Sequence, residues 1–376
     1  MRHFILFGLV CTLAACAAPT PASTVVPPTV APVKAPTPAP TIVLSATRKP
    51  TTVPTLAQSL RGAAFNKKIL IGAAVAPDYI RQEPQYSSTL GREFGALTPE
   101  NTMKFGPLRP TQTTFNFDDA DFLVNFAQAN GMQVRGHTLI WHNELPPWLL
   151  AGNFSRDDLI AIMREHISTV VGRYRGHVYA WDVVNEAIDD QTGQLRQTIW
   201  LKGIGPDYID MAFQFAHAAD PNAKLIYNDY GGEGLGKKSD AIYALVKGMK
   251  ERGVPIDGVG LQSHFRLDAL PAAADVDANM KRLGALGLQV QITELDIRMA
   301  VPPTEPNLSR QADQYREYLQ TCLANSDCTM FVMWGFTDKH SWIPSINPGS
   351  GAALIFDEQY QPKPAYRVLL AVLGGN

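Results

Sequence analysis

Trp181-Asp182-Val183-Val184-Asn185-Glu186-Ala187 reads as an apolar strand that ends on an amide and a carboxylate before a loop begins. An unpaired carboxylate is expensive to desolvate, so a buried strand that stops on one needs a reason, and Glu186 becomes the first candidate for chemistry. Val290-Gln291-Ile292-Thr293-Glu294-Leu295-Asp296 repeats the pattern, running from β-branched residues into carboxylates. Two strands that each deliver a Glu point to a two-carboxylate site. Glycoside hydrolysis uses such a pair: one carboxyl group protonates the leaving oxygen and the other attacks the sugar carbon or activates water.

Working outward, eight apolar runs alternate with helical patterns. The runs are Ile69 to Val75, Gly95 to Thr98, Gln133 to Trp141, Val178 to Asn185, Ala223 to Asn228, Gly258 to His264, Gln289 to Glu294, and Met330 to Phe336. One helix is predicted from an N-cap at Ser155, with Asp158 three residues on, and carries Leu159, Ile162, Met163, His166, Ile167, Val170, Val171 and Tyr174 on one stripe. Others begin near Pro206, Ser239, Asp275 and Ser309. Strand–helix alternation repeated eight times predicts an α/β fold, a (β/α)8 TIM barrel forming a single catalytic domain over residues 59–376. An open doubly wound sheet is the alternative, but no Gly-rich phosphate turn follows the first run and polar residues end most of the runs.

The chain has 376 residues, 45% hydrophobic, and a net charge of -2, which argues against nucleic acid as the main partner. Residues 1–15 read as a signal peptide: Arg2 and His3 precede an apolar run, Phe4 to Leu13, too short to span a bilayer. Leu13-Ala14-Ala15-Cys16 resembles the lipobox of bacterial lipoproteins, which implies lipid modification of Cys16. An ordinary secretory signal is the alternative. Residues 16–58, rich in Pro, Thr and Ala, form no core and read as a disordered tether, reaching roughly 100 Å if largely polyproline II. A leader with no role is the bland alternative. Cys322 and Cys328, separated by a turn containing Asn325-Ser326-Asp327, suit a loop-closing disulfide in an oxidising compartment, with two free thiols as the alternative. No further His or Cys lies close by to complete a four-ligand metal set.

The run ends carry Thr98-Pro99-Glu100-Asn101-Thr102-Met103-Lys104, Arg135-Gly136-His137-Thr138-Leu139-Ile140-Trp141-His142, Asn185-Glu186, Asn228-Asp229-Tyr230, Gln262-Ser263-His264, Glu294-Leu295-Asp296 and Trp334 to Trp342. Amides, carboxylates, imidazoles and indoles suit sugars, whose hydroxyls need donors and acceptors and whose C–H faces stack on flat rings. The segments TPENTMK, VRGHTLIWH, WDVVNEA, YNDY, LQSHF, ITELDIR and WGFTDKHSW resemble those of glycoside hydrolase family 10, the β-1,4-xylanases, in order over roughly residues 60 to 372.

The resemblance implies an endo-acting, retaining hydrolase of xylan or xylo-oligosaccharides. Glu186 would be the acid/base and Glu294 the nucleophile, with Asn185 bonded to the 2-hydroxyl of the attacked sugar. His264, oriented by Asp296, would bond Glu294, and Gln262 would contact the acid/base. His137 would line the site of the attacked sugar; Glu100, Asn101, Lys104, Trp334 and Trp342 would shape the non-reducing side, and Tyr230 the leaving-group side. Trp141 and Asn228 join the substrate-binding set, with Trp141 as a wall of the core the alternative. No cofactor or metal is expected; a monomer is, exported to the cell surface or outer membrane and touching the membrane only through its lipid anchor, or else secreted. Two positions depart from the family pattern. Glu144 stands where Gln is usual, and Phe105 where Trp is frequent. His166 and His217 are expected to pack or face solvent, Asp182 and Asp229 to orient neighbours, and Lys237-Lys238 to be solvated loop charges. The alternatives are a non-catalytic xylan-binding protein, which the presence of both Glu186 and Glu294 disfavours, and a hydrolase of another β-glycan.

Overall fold

Runs dense in Val, Ile, Leu and Ala form strands buried on both faces, as a parallel sheet sheathed in helices requires. The structure, a computed structural model, describes residues 59–374; the expected signal peptide, Cys16 and the expected tether lie outside the described residues. The barrel strands are β1 (Leu70–Val75), β2 (Ala96–Pro99), β3 (Gln133–Gly136), β4 (Ala180–Asn185), β5 (Lys224–Asp229), β6 (Gly258–Leu261), β7 (Gln289–Ala300) and β8 (Cys328–Met333). Each pairs in parallel with the next, and β8 returns to β1 in the register Leu70↔Met330 to Ala73↔Met333, which closes the eight into a (β/α)8 barrel.

Four runs end three or more residues away from the sequence reading. The eighth, read as Met330 to Phe336, is β8 from Cys328 to Met333, and Gly335 then turns the backbone at φ +97°. β3 stops at Gly136, and the chain rejoins β4 only through an isolated bridge between Ile140 and Val184. β6 stops at Leu261, because Ser263 turns the backbone at φ +67° and His264–Arg266 then forms a separate short strand beside β7. β7 runs on past Glu294 to Ala300, since that short strand and Ser350–Gly351 give its far half partners.

The helix Arg156–Arg173 starts at Ser155 with a reciprocal capping box to Asp158, and the predicted stripe from Leu159 to Val171 is buried. Glu93 joins the two ends of the barrel. Its buried carboxylate accepts from the Leu60 amide (3.1 Å) in the first helix, Leu60–Phe65, and from the Tyr366 hydroxyl (3.0 Å) in the last, Pro364–Leu373.

Cys322, in the last turn of helix Glu305–Ala324, is disulfide-bonded to Cys328 at the start of β8, with Cα atoms 5.3 Å apart. For so short a loop the chain-entropy contribution is about 2 kcal/mol. Replacing both cysteines with Ala is expected to lower the unfolding free energy by that amount in a denaturant titration. An unchanged midpoint would mean that packing alone holds the helix end to the strand.

Candidate active site

The ends of β2 to β8 surround a cleft of about 610 Å³ at the C-terminal face, where catalytic groups of this architecture gather. It brings together Glu100, Asn101, Lys104, His137, Trp141, Asn185, Glu186, Tyr230, Gln262, His264, Glu294, Trp334 and Trp342. Asn143, Glu144 and Arg298 also line it.

Glu186 follows β4 with φ +56°, a left-handed conformation that a non-glycine residue adopts only when its surroundings impose it. Its amide is fixed by the Asn228 carbonyl at 2.9 Å. One carboxylate oxygen accepts from Trp141 Nε1 (2.8 Å) and the other from Gln262 Nε2 (3.0 Å) and Asn185 Nδ2 (3.2 Å). Trp141 is thus a polar partner of Glu186 as well as a wall.

Glu294 is 4% exposed and held from two sides. Asn228 Nδ2 donates to Oε1 at 2.7 Å and His264 Nε2 reaches Oε2 at 3.1 Å. Burial alone would raise its pKa, but the His137 and His264 imidazoles and the Asn228 amide outweigh that and hold it at about 2. His264 shows the complementary balance. Burial works against its charge, and the carboxylates of Asp296 and Glu294 overcome it, lifting the imidazole to about 10. His264 Nδ1 lies 2.9 Å from Asp296 Oδ2, which also accepts from Trp342 Nε1 at 2.8 Å.

Asn228 is a correction to the sequence reading. It is fully buried behind the cleft wall, and both ends of its amide are committed: Nδ2 to Glu294 and to Asn185 Oδ1 (2.9 Å), Oδ1 to Thr293 Oγ1 (2.7 Å). It therefore positions a carboxylate and has no group left for a sugar. Its space exists because its neighbour on β6 is Gly260, where a Cβ would lie 2.2 Å from Asn228 Oδ1.

Beneath the cleft, Arg135 and Asp182 form a two-pronged ion pair with neither side chain exposed, and Arg135 Nε also donates to Gln291 Oε1 at 3.2 Å. Asp182 Oδ2 also bonds His137 Nδ1 at 2.8 Å. His137, Asp182 and Glu294 bring ligand-type atoms within 4.8 Å of one another. Arg135 already occupies both Asp182 oxygens, so the cluster is an ion-pair network and a poor fit to a metal.

At one end of the cleft Lys104 Nζ donates to Asn101 Oδ1 (2.7 Å) and sits 5.0 Å from the Trp141 ring centre. Burial lowers the Lys104 pKa, against the pull of Glu144, Glu294, Glu100 and Glu186. Burial also raises the Glu100 carboxyl. Glu144 contributes an acceptor-only group to this end. Phe105 lies in the core, its ring 3.8 Å from that of His166; burial pushes that imidazole down to about 3, so it is neutral. His217 is exposed.

At the other end the Tyr230 hydroxyl donates to Asp190 and accepts from Arg196 at 3.3 Å, while Lys238 Nζ lies 3.5 Å from its ring centre. Lys238 is the second correction: it is buried between Asp190 and Asp229, the latter at 2.9 Å, and only Lys237 is a surface charge. Asp229 also accepts from the Tyr227 hydroxyl and the Tyr230 amide, as an orienting group does. No sequence signal marked Lys238, because Asp190 lies on a loop 48 residues away and Asp229 reads as the end of a strand. Arg298 had one: Glu294, Asp296 and Arg298 alternate along β7 onto one face.

Residues 59–372 match the model of glycosyl hydrolase family 10. Endo-1,4-beta-xylanase B of Thermotoga neapolitana is 43% identical over 310 residues, covering 82% of this chain and 89% of that protein. Endo-1,4-beta-xylanase 1 of Humicola insolens is 42% identical over 305 residues, covering 80% and 71%. The crystal structure of xylanase 10B from Thermotoga petrophila RKU-1 in complex with xylobiose is similar with a TM-score of 0.82 at 41% identity, over 87% of this chain and 99% of that one. The match runs from the first helix of the barrel to the last and takes in both cleft carboxylates: the chain belongs to glycosyl hydrolase family 10.

Proposed function

We propose that the protein is an endo-1,4-β-xylanase that cleaves internal bonds of xylan with retention of anomeric configuration. The observation that carries this reading is the unequal environment of two carboxylates in one cleft: Glu294 is clamped as an anion by His264 and Asn228, while the Glu186 carboxylate accepts hydrogen bonds only from the neutral groups of Trp141, Gln262 and Asn185. Glu294 attacks the anomeric carbon as the glycosidic C–O bond breaks, and the leaving oxygen takes the proton of the Glu186 carboxyl group. Glu186, now a carboxylate, removes a proton from water, whose oxygen displaces Glu294 and restores both groups. Two inversions at one carbon amount to retention.

Asn185 Nδ2 beside Glu186 suits the 2-hydroxyl of the attacked sugar, and His137 lines the same position. Trp334 and Trp342 offer stacking faces, with Glu100, Asn101 and Lys104 as hydroxyl partners on the non-reducing side and Tyr230 on the leaving-group side. Export is part of the proposal: the Cys322–Cys328 disulfide supports an oxidising compartment, and Cys16 is the lipid-bearing residue.

Proton NMR of a linear xylo-oligosaccharide during hydrolysis tests the reading, with β-anomer expected first; early α-anomer would overturn the role of Glu294. Glu294→Ala is expected to lose at least about 10⁴-fold in kcat. Azide should rescue it as an α-glycosyl azide, whereas Glu186→Ala should yield the β-azide; exchanged outcomes would reverse the assignment.

Gly260→Ala should push Asn228 off Glu294 and lower kcat on the order of tenfold or more with KM little changed. Unaltered kcat would mean that Asn228 does not hold the nucleophile. His264 has its folded pKa raised, from an ordinary 6.5 to about 10, so its contribution to stability is complete below pH 6.5 and disappears as pH rises through 10. The gap in Tm between the parent protein and His264→Gln should accordingly narrow between those values; a gap that widens with pH contradicts the ion pair.

A further inference from the structure

Beside the active cleft lies a second cleft of about 460 Å³, and Arg298 lines both. Arg266 and Arg298 are register partners on adjacent strands, and Arg310, from helix Glu305–Ala324, lines the same space. Like charges placed side by side on a sheet are destabilising, so three guanidinium groups here call for an anion. Asp268 is the one carboxylate lining this cleft, and it is committed to Arg266 through bonds of 3.0 and 2.7 Å. Neither Arg298 nor Arg310 has a carboxylate within 4.0 Å among the described residues; Arg310 has only a long bond of 3.4 Å to the Leu267 carbonyl.

We propose that this cleft binds the carboxylate of a uronic acid branch on the xylan chain held in the active cleft. The inference rests on the xylanase reading and names the class of substrate it favours: acidic, branched xylan. A planar carboxylate matches the guanidinium fork, and the cleft falls within the size range, about 300–1,000 Å³, of sites that hold small organic ligands. Met299 supplies an apolar surface, and Asn347 and Ser350 supply hydroxyl partners. Because Arg298 belongs to both clefts, a branch reaches the arginines without the main chain leaving the active site.

The test uses Arg310→Ala, since Arg310 lines only the second cleft. Its kcat/KM on uronate-branched xylan is expected to fall about fivefold, the scale of one partly solvated charge-assisted hydrogen bond, while kcat/KM on linear xylo-oligosaccharide stays the same. Equal loss on both substrates, or no loss on either, overturns the proposal. Calorimetric titration of the Glu294→Ala protein separates binding from turnover. The branched oligosaccharide should bind more tightly than the linear one, and adding Arg310→Ala or raising the salt should remove the difference. Equal binding of the two sugars overturns the proposal, as does free glucuronate competing as well as the branched sugar, which would mark a general anion site. Failure of the parent protein to cleave either xylan would reject the xylanase reading, and the titration would still decide the cleft.

Discussion

The buried pair of Arg135 and Asp182 is the constraint on which both barrel and site depend. Neither side chain is exposed, and breaking a buried ion pair by removing one partner costs about 3–5 kcal/mol because the other charge is left stranded. The pair ties β3 to β4, and the bond from Arg135 to Gln291 crosses to β7, which is not a sheet neighbour of β3. Its other product is functional. Asp182 fixes the His137 ring, and His137 Nδ1 lies 3.9 Å from Glu294 Oε1, so the interior charge network sets the floor of the cleft.

Above that floor, neutral amides do the positioning. A chain of bonds runs from Glu294 through Asn228 and Asn185 to Glu186, with Gln262 touching its last two members. Amides fix carboxylates without neutralising them, which leaves the difference between the two acids to the charged neighbours. His264, backed by Asp296 and Trp342, stands on the Glu294 side only. Preorganised dipoles of this kind need no rearrangement as charge moves during the reaction. Gly260 is the permissive element, since the Asn228 amide occupies the volume that any side chain there would take.

Much of this was legible along the chain. The eight runs announced the barrel because both faces of a parallel strand are buried, and the carboxylates, amides and indoles at the run ends announced the cleft because buried strands otherwise stop on apolar residues. The boundaries of the third, sixth, seventh and eighth runs were less legible. An apolar run continues through a bend as readily as through a ladder, and only the pairing of His264–Arg266 and Ser350–Gly351 with β7 shows where the ladder goes on. Asn228 and Lys238 were misread for a related reason: polarity in a motif or beside a loop does not say whether a side chain faces the cleft or is enclosed behind it.

Local chemistry along the chain was enough for the strand–helix alternation, the Ser155 capping box, and the delivery of Glu186 and Glu294 by different strands. These follow from periodicity and from the cost of burying charge, which operate within a few residues. The tertiary structure alone decided that Glu294 is an anion held by His264 and Asn228, that Arg135 neutralises Asp182 across the strands, and that Arg266, Arg298 and Arg310 converge beside the cleft. Coulombic and hydrogen-bond energies depend on distance in space, and barrel closure brings together groups that the chain keeps tens of residues apart.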